Sequence, residues 1–260
     1  MYRKLLFSFI FILFSTSLSL AQTLNIHTTD GNVHSYNLMD IDSITFNVGE
    51  TPTQGLIAYY PFNGNANDES GNGNNGIVSG AVLDTNRLGI QDKSYRFDGI
   101  DDYIKIPPID LGNTRTISVW TKTTITDTSQ SIIFRGNVYW GAYYFYLYIT
   151  ETGEYQYGHL PNGVRVTSDV VVADNKWHHL VTTWDGSTCN LYVDGELIKT
   201  EPYTQFPNGR YNDDVYIGTA HHNNDSLVKF FRGNIDDVRI YNRVLTETEI
   251  LYLYHEGGWK

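Results

Sequence analysis

The chain has 260 residues, a length that allows one or two domains and a sizeable buried core. Its formal net charge of -11 argues against a nucleic-acid-binding protein, because such proteins need a basic surface to pair with phosphates. The single cysteine, Cys189, excludes an internal disulfide framework and a multi-cysteine metal site. The 23 glycines and 20 tyrosines favour strands joined by tight turns.

Residues 1–21 are predicted to be a secretory signal peptide. Arg3 and Lys4 precede an apolar run from Leu5 to Phe14, and small residues lie at the expected cleavage position, Ala21. The apolar run is short for a membrane span and no stop-transfer sequence follows it, so we expect no span after signal removal. Cleavage would change the net charge from -11 to -13. The sequence therefore predicts a secreted or cell-surface protein.

Residues 22–49 are predicted to form a small β-hairpin segment. Apolar and polar residues alternate on both sides of the turn at Asp30-Gly31, and a third short strand is predicted from Ile41 to Phe46. This pattern resembles a short segment found after the signal peptide in exported proteins of the Bacteroidota. So few residues can hardly bury a core alone, and we expect the segment to dock on something else. Residues 50–55 are predicted to be a linker.

From residue 56 to the end of the chain, short strands are predicted to recur between turn dipeptides such as Asp98-Gly99 and Asp194-Gly195. Such spacing is typical of an all-β sandwich or barrel. One helix is predicted near the C-terminus, with Thr246 and Glu249 as its capping box. The strands are predicted at 57–60, 94–97, 103–106, 116–122, 131–134, 143–149, 154–157, 164–166, 177–184, 189–193, 215–218 and 230–241, and the apolar stripe of the helix at Ile250, Leu251 and Tyr254.

Trp120 and Trp177 lie in predicted strands, and both are interpreted as core residues. Strand alternation places Leu180 and Thr182 on one face and His179 on the other. The adjacent pair His178-His179 should therefore diverge, which disfavours a shared zinc ion.

Four stretches carry a family resemblance, in the order 55–76, 95–104, 176–180 with 191–195, and 233–242. Together they make residues 56–260 similar to a laminin-G-like jellyroll domain of the concanavalin-A-like lectin/glucanase superfamily. The resemblance implies an all-β fold, a two-sheet antiparallel jellyroll sandwich, here with a short C-terminal helix and a small N-terminal hairpin. It leaves function open, because this fold hosts lectins, glycosidases, adhesion modules and spacers.

A calcium site is predicted in the loop 67–76, which combines side-chain oxygens with flexible glycines. We expect a structural Ca²⁺ ion with Asp68 as a carboxylate ligand and Asn72 and Asn74 as weaker candidates. The resemblance implies that this loop lies beside the C-terminal strand, so that Asp236 could complete the site. The alternative is a turn-rich loop whose Asn and Asp side chains bond their own backbone.

The other acidic pairs, Asp101-Asp102 and Asp213-Asp214, are interpreted as solvated turns, because neighbouring strand residues point apart. Glycosidases of the resembled superfamily carry a Glu-x-Asp-x-x-Glu strand, since a retaining enzyme needs two facing carboxylates. The sequence contains no such strand. We therefore expect a non-catalytic protein. The alternatives are a glycoside hydrolase-like enzyme built from scattered residues and a purely structural surface protein.

The segment from Val138 to Ile149 is the most aromatic part of the chain. Alternation puts three of its tyrosines on one strand face and the apolar residues Phe145, Leu147 and Ile149 on the core face. Tyrosine can pack on sugar rings and bond their hydroxyls. The expected partner is a polysaccharide or glycan, or a surface protein, unless another strand covers this face. The predicted ligand-binding residues are Tyr144, Tyr146 and Tyr148, followed by Trp140 and Tyr211.

Overall fold

The computed structural model describes residues 23–27, 32–37, 51–112, 114–124, 127–136, 144–160, 164–202, 213–221 and 226–259. The predicted signal peptide, the predicted strand 41–46, Trp140 and Tyr211 lie outside the described residues. The chain divides into two compact units, Met1–Val48 and Gly49–Lys260. Among the residues described, none of the helices has the length and apolar character needed to cross a membrane.

The first unit contains the predicted hairpin. Strands β1 (Thr23–His27) and β2 (Val33–Asn37) pair antiparallel, from Thr23 opposite Asn37 to His27 opposite Val33. Val33 and Tyr36 are exposed on β2. The docking partner of this hairpin stays a prediction.

The second unit is an antiparallel sandwich, as predicted. Its first sheet has seven strands in the spatial order β12-β11-β10-β9-β16-β7-β4, and every neighbouring pair is antiparallel. The strands are β4 (Ile77–Ser79), β7 (Tyr103–Ile106), β9 (Gln130–Arg135), β10 (Tyr144–Ile149), β11 (Glu154–Leu160), β12 (Val164–Val171) and β16 (Val215–Ile217).

The second sheet has eight strands. Seven of them follow the spatial order β15-β14-β13-β8-β19-β6-β5. The eighth, β3, pairs with the C-terminal end of β19. The strands are β3 (Leu56–Tyr60), β5 (Val82–Asp84), β6 (Ser94–Asp98), β8 (Arg115–Lys122), β13 (His178–Trp184), β14 (Thr188–Val193), β15 (Glu196–Pro202) and β19 (Arg232–Tyr241).

The main core lies between the two sheets. Alternating residues of each strand bury their side chains there, as the period of two requires. The predicted core face of β10 is confirmed, because Phe145, Leu147 and Ile149 are all buried in this cluster. Cys189 is also buried there, and its thiol is free.

The outer face of the eight-stranded sheet is covered by the C-terminal helix α1 (Glu247–His255), which continues into a 3₁₀ turn, Glu256–Gly258. The predicted capping box is confirmed, since the Thr246 side chain accepts from the Glu249 amide and the Glu249 side chain accepts from the Thr246 amide. Ile250 and Leu253 are the buried residues of the helix. The prediction that Leu251 belongs to the buried stripe was wrong, because its side chain is 46% exposed.

The outer face of the seven-stranded sheet is partly covered by a very short hairpin, β17 (Ala220–His221) and β18 (Leu227–Val228). Ala220 packs there with Phe134 and Tyr146, and Val228 lies against this cluster. The rest of this outer face carries half-buried and exposed side chains, so a ligand could bind there.

Candidate functional site

The predicted tyrosine face lies on the outer side of the seven-stranded sheet. Tyr146 and Tyr148 project there, and their rings stack with centroids 4.1 Å apart. The backbone of Tyr144 belongs to the same strand, and its side chain lies outside the described residues. Strand alternation thus places the tyrosines opposite the core residues of β10.

Tyr146 is buried, with 4% of its surface exposed, because the β17–β18 hairpin packs on it through Ala220 and Val228. At Tyr146, strands therefore cover the tyrosine face, which is the alternative to an open ligand-binding face. Tyr148 is half-buried beside the hairpin, so of the two described tyrosine side chains of this strand it is the more accessible to a ligand.

A polar row continues from Tyr148 across the sheet. Tyr148 pairs with Gln156 on β11, and Gln156 pairs with Thr167 on β12. The Gln156 amide donates to the Thr167 hydroxyl at 2.8 Å, and both residues are half-buried. An amide, a hydroxyl and a phenol side by side can bond sugar hydroxyls. Gln156 and Thr167 were not predicted as binding residues, although strand alternation in their segments would have placed them on this face.

A second aromatic group lies toward the other edge of the same face. The rings of Tyr103 and Tyr216 are 6.1 Å apart, and Tyr216 stacks on His221 at 5.6 Å. Beside them, Lys105 pairs with Asp214 at 2.7 Å. The predicted solvated turn at Asp213-Asp214 therefore includes one ion-paired carboxylate.

Asp68 organises the loop 67–76 through its carboxylate. One oxygen accepts hydrogen bonds from the Tyr59 and Ser70 amides, and the other accepts from the Asn74 amide, each at 2.9 Å. Burial raises the pKa of Asp68, but these hydrogen bonds outweigh burial and hold the pKa below its usual value. Asn72 and Asn74 donate their side-chain amides to the Ile57 carbonyl. Asp68 therefore bonds amides of its own loop, as the alternative of a turn-rich loop expects, while Asn72 and Asn74 bond the neighbouring strand.

Asp236 has different partners from Asp68. Its Oδ2 receives a hydrogen bond from Arg87 Nη1 at 2.9 Å, and its Oδ1 receives one from the Asp237 amide at 2.8 Å. Arg87 also donates to Asp237, and all three residues are buried. Neither hydrogen bond joins Asp236 to the loop of Asp68.

The calcium site stays a prediction, and its test is thermal melting of the full chain with Ca²⁺ and with a chelator. Bound calcium would raise the melting temperature, because an ion that binds the folded state alone stabilises it by mass action. Asp68→Asn is the matched variant, since it keeps the shape of the side chain and removes the charge. Equal melting temperatures for the wild type in the two buffers would rule out a structural ion.

The interpretation of Asp101-Asp102 as a solvated turn was wrong for one residue. Asp102 is 7% exposed, and its Oδ2 accepts from the Asp98 amide at 2.8 Å. The carboxylate oxygens of Asp98, Asp101 and Asp102 approach within 4.8 Å of one another. Burial and the two neighbouring carboxylates raise the pKa of Asp102. The hydrogen bond from the Asp98 amide holds the turn between β6 and β7 together, whereas the neighbouring carboxylates repel one another.

His178 and His179 diverge, as predicted. His179 is fully buried and its Nε2 lies 2.8 Å from the Ser118 hydroxyl, whereas His178 lies near the surface. His178 contacts two carboxylates, with Nδ1 2.8 Å from Asp194 and Nε2 3.0 Å from Asp174. The interpretation of Trp177 as a core residue was wrong, because it is only half-buried at the start of this strand.

We predict that His178 stabilises the fold more at low pH than at high pH. Burial lowers the pKa of His178, but the hydrogen bonds and charges of Asp194 and Asp174 outweigh burial and raise the pKa above its usual value. A raised histidine pKa gives stability that is present below the unfolded-state pKa and is lost as the pH rises through the folded-state pKa. Urea unfolding of His178→Gln should show a loss about 1 kcal/mol larger at pH 5.5 than at pH 8.5.

The wild type, unfolded in urea at the same two pH values, is the reference from which each loss is taken. A His178→Gln variant that loses the same stability at both pH values would contradict the proposed charge pairing.

Two comparisons place this fold among known proteins. The family model of the concanavalin A-like lectin/glucanases superfamily matches residues 98–251, more than half of the chain. No curated protein matches the chain in sequence.

Among solved structures, domain 4 of AbnA, an extracellular GH43 arabinanase from Geobacillus stearothermophilus in complex with arabinotriose, is similar with a TM-score of 0.60 and 21% identity. The match covers 76% of this chain and 98% of that one. The binding domain of Paraclostridial Mosquitocidal Protein 1 gives a TM-score of 0.62 and 15% identity over 78% of this chain and 52% of that one. The botulinum neurotoxin serotype D binding domain gives a TM-score of 0.61 and 15% identity, and the match covers 80% of this chain and 53% of that one. This chain spans about half the length of those toxin domains, and all three similarities concern the fold.

Proposed function

The chain belongs to the concanavalin A-like lectin/glucanase superfamily, and we propose that it is an exported, non-catalytic module that binds carbohydrate. The binding face is the outer side of the seven-stranded sheet. The observation that carries this proposal is the half-buried row Tyr148, Gln156 and Thr167, which offers a phenol, an amide and a hydroxyl on one rigid surface. Sites with a few fixed polar groups beside aromatic rings suit sugars.

The local contacts of the described carboxylates on this sheet support binding over hydrolysis. Glu154 accepts hydrogen bonds from the hydroxyls of Thr150 and Thr152. Asp169 is paired with Lys199, and Asp214 with Lys105. A retaining glycosidase needs two carboxyl groups about 5–5.5 Å apart on either side of the substrate. Among the described residues of this face, each of these carboxylates serves a local contact. The arabinanase domain seen with arabinotriose supports a binding role for a sandwich of this kind.

A glycan array with the full chain tests this function. The wild type should bind, and a Tyr148→Ala, Gln156→Ala double variant should bind the same glycans about fivefold or more weakly, because it removes a ring and an amide from the row. The matched control is Tyr252→Ala, which removes a half-buried tyrosine from the C-terminal helix on the other side of the sandwich. Binding that is equal in the wild type and the double variant would eliminate this face, and no binding to any glycan would eliminate the function.

A further inference from the structure

Two cations flank the polar row. Lys229 follows the β17–β18 hairpin at the Tyr148 end, and its Nζ lies 5.2 Å from the centroid of the Tyr148 ring. Arg165 lies on β12, two residues before Thr167, and projects from the same outer face. Both residues are exposed overall, although the Lys229 ammonium is partly shielded by its neighbours and is close enough to feel the charge of Arg165.

Gly158 lets the ring of Tyr146 extend toward Arg165. The register places Tyr146 opposite Gly158, and Gly158 opposite Arg165. A Cβ atom at Gly158 would lie 2.1 Å from the Tyr146 hydroxyl oxygen, so the ring crosses the strand where a side chain is missing. Burial raises the pKa of Tyr146 and lowers that of Lys229, and the charge of Arg165 is close enough to lower both.

These two cations have no ion-pair partner within the described part of the chain. On the same face Lys105 is neutralised by Asp214, and at the sheet edge Lys199 pairs with Asp169. The acid whose charge acts on Lys229 is Glu151, which lies beyond ion-pair distance. Like charges placed side by side repel, and a bound anion would remove that repulsion.

The backbone fixes the position of Lys229. Its φ of 57° lies in the left-handed region, which a residue with a side chain adopts at a cost. The Ser131 amide donates to the Lys229 carbonyl at 2.8 Å and holds this conformation. The side chain of Lys229 is therefore presented over Tyr148 by a turn bonded to the sheet.

We propose that the carbohydrate bound on this face is anionic, with its carboxylate or sulfate group held by Lys229 and Arg165 and its hydroxyls on Tyr148 and Gln156. This inference rests on the proposed function and narrows it to acidic polysaccharides. The net charge of the whole chain would repel a polyanion at long range. At physiological ionic strength this repulsion is screened beyond about 8 Å, so the local pair of cations determines binding.

The experiment compares polymers that differ in charge alone. Polygalacturonate and its methyl ester test a carboxylate ligand, and dextran sulfate and dextran test a sulfate ligand, each titrated against the full chain in 0.15 M NaCl. We expect one acidic polymer to bind at least about fivefold more tightly than its neutral counterpart. Lys229→Met and Arg165→Met should each remove most of this preference while keeping an unbranched apolar stem.

Arg96→Met is the matched control, because Arg96 is an exposed cation of the other sheet and its loss should leave the preference unchanged. Equal affinity for an acidic polymer and its neutral counterpart would overturn the anionic preference and leave the proposed function standing. Preference for an acidic polymer that survives both methionine variants would also overturn this site. Binding of none of the four polymers would overturn the anionic proposal, and the glycan array would then decide whether the function itself fails.

Discussion

Replacing Arg87 with Met should cost about 3–5 kcal/mol of unfolding free energy at pH 8, because it leaves the buried carboxyl of Asp236 without its cation. The Arg87 and Asp236 side chains are 2% and 1% exposed, and their charged atoms are 2.9 Å apart. Arg87 also binds Asp237, whose φ of 46° marks the point where the pairing of β19 with β8 shifts register. Arg87 therefore ties its loop to the bend of the central strand. Urea unfolding measures this loss.

The same variant should lose less stability at pH 5. Burial and the neighbouring Asp237 carboxylate raise the pKa of Asp236 far above the usual carboxyl range. A raised carboxyl pKa means that the folded state holds the proton more tightly, so stability falls as the pH rises toward that pKa. Without Arg87, protonation at pH 5 neutralises the stranded carboxyl and reduces the penalty. Arg87→Met, Asp236→Asn should recover part of the loss at pH 8.

Arg96→Met is the control for this prediction. Arg96 is 54% exposed at its side chain and lies 3.3 Å from Asp84, so its loss should change stability by about 0.5 kcal/mol or less. An Arg87→Met variant as stable as Arg96→Met would contradict the role of the buried pair.

Replacing Trp120 with Ala should cost about 3–5 kcal/mol, the range for removing a large buried aromatic side chain. Trp120 has no exposed surface, although it lies on the outer face of the eight-stranded sheet. Its ring stacks on His179 at 5.1 Å and on Tyr254 at 5.7 Å, and Trp259 contacts it edge-on at 5.2 Å. The loss of Trp120 should therefore loosen the C-terminal segment and expose it to proteases.

Trp177→Ala is the matched control, because Trp177 is half-buried and should cost clearly less. Trp120 also lies under the Arg87 guanidinium, 4.6 Å from its ring centroid. The losses of Trp120→Ala and Arg87→Met should then sum to more than the loss of the double variant, because the two residues share one cluster. Equal unfolding curves for Trp120→Ala and Trp177→Ala would show that the C-terminal segment is held elsewhere.

Local signals in the sequence were sufficient for many elements of the fold. The capping box at Thr246 and Glu249 was predictable because both partners lie within one helical turn. The alternation around Phe145 and Leu147 identified the core face of β10, because the period of two is fixed by strand geometry. β15 was missed, since Glu196–Pro202 has mostly polar and partly exposed residues and shows no clean alternation.

Contacts between segments that lie far apart in the sequence could not be predicted from local patterns. Arg87 and Asp236 are 149 residues apart, and no local pattern indicates that a loop cation will reach a central strand. The burial of Tyr146 depends on β17 and β18, which have two residues each and leave no periodic pattern to detect. Trp120 was correctly predicted to be buried, but the sequence did not indicate that a terminal helix would cover it. All of these contacts lie on the outer faces of the two sheets. Which segment covers an outer face depends on the tertiary fold and not on the local sequence.

Amide hydrogen exchange, with and without an oligosaccharide selected on the glycan array, locates the binding face without altering the chain. A ligand on the outer side of the seven-stranded sheet should slow exchange in β10, β11 and the first half of β12, the strands that carry Tyr148, Gln156 and Thr167. Exchange in β14 and β15 of the other sheet should stay unchanged. Protection confined to the eight-stranded sheet or to its C-terminal helix would contradict a binding face on the seven-stranded sheet.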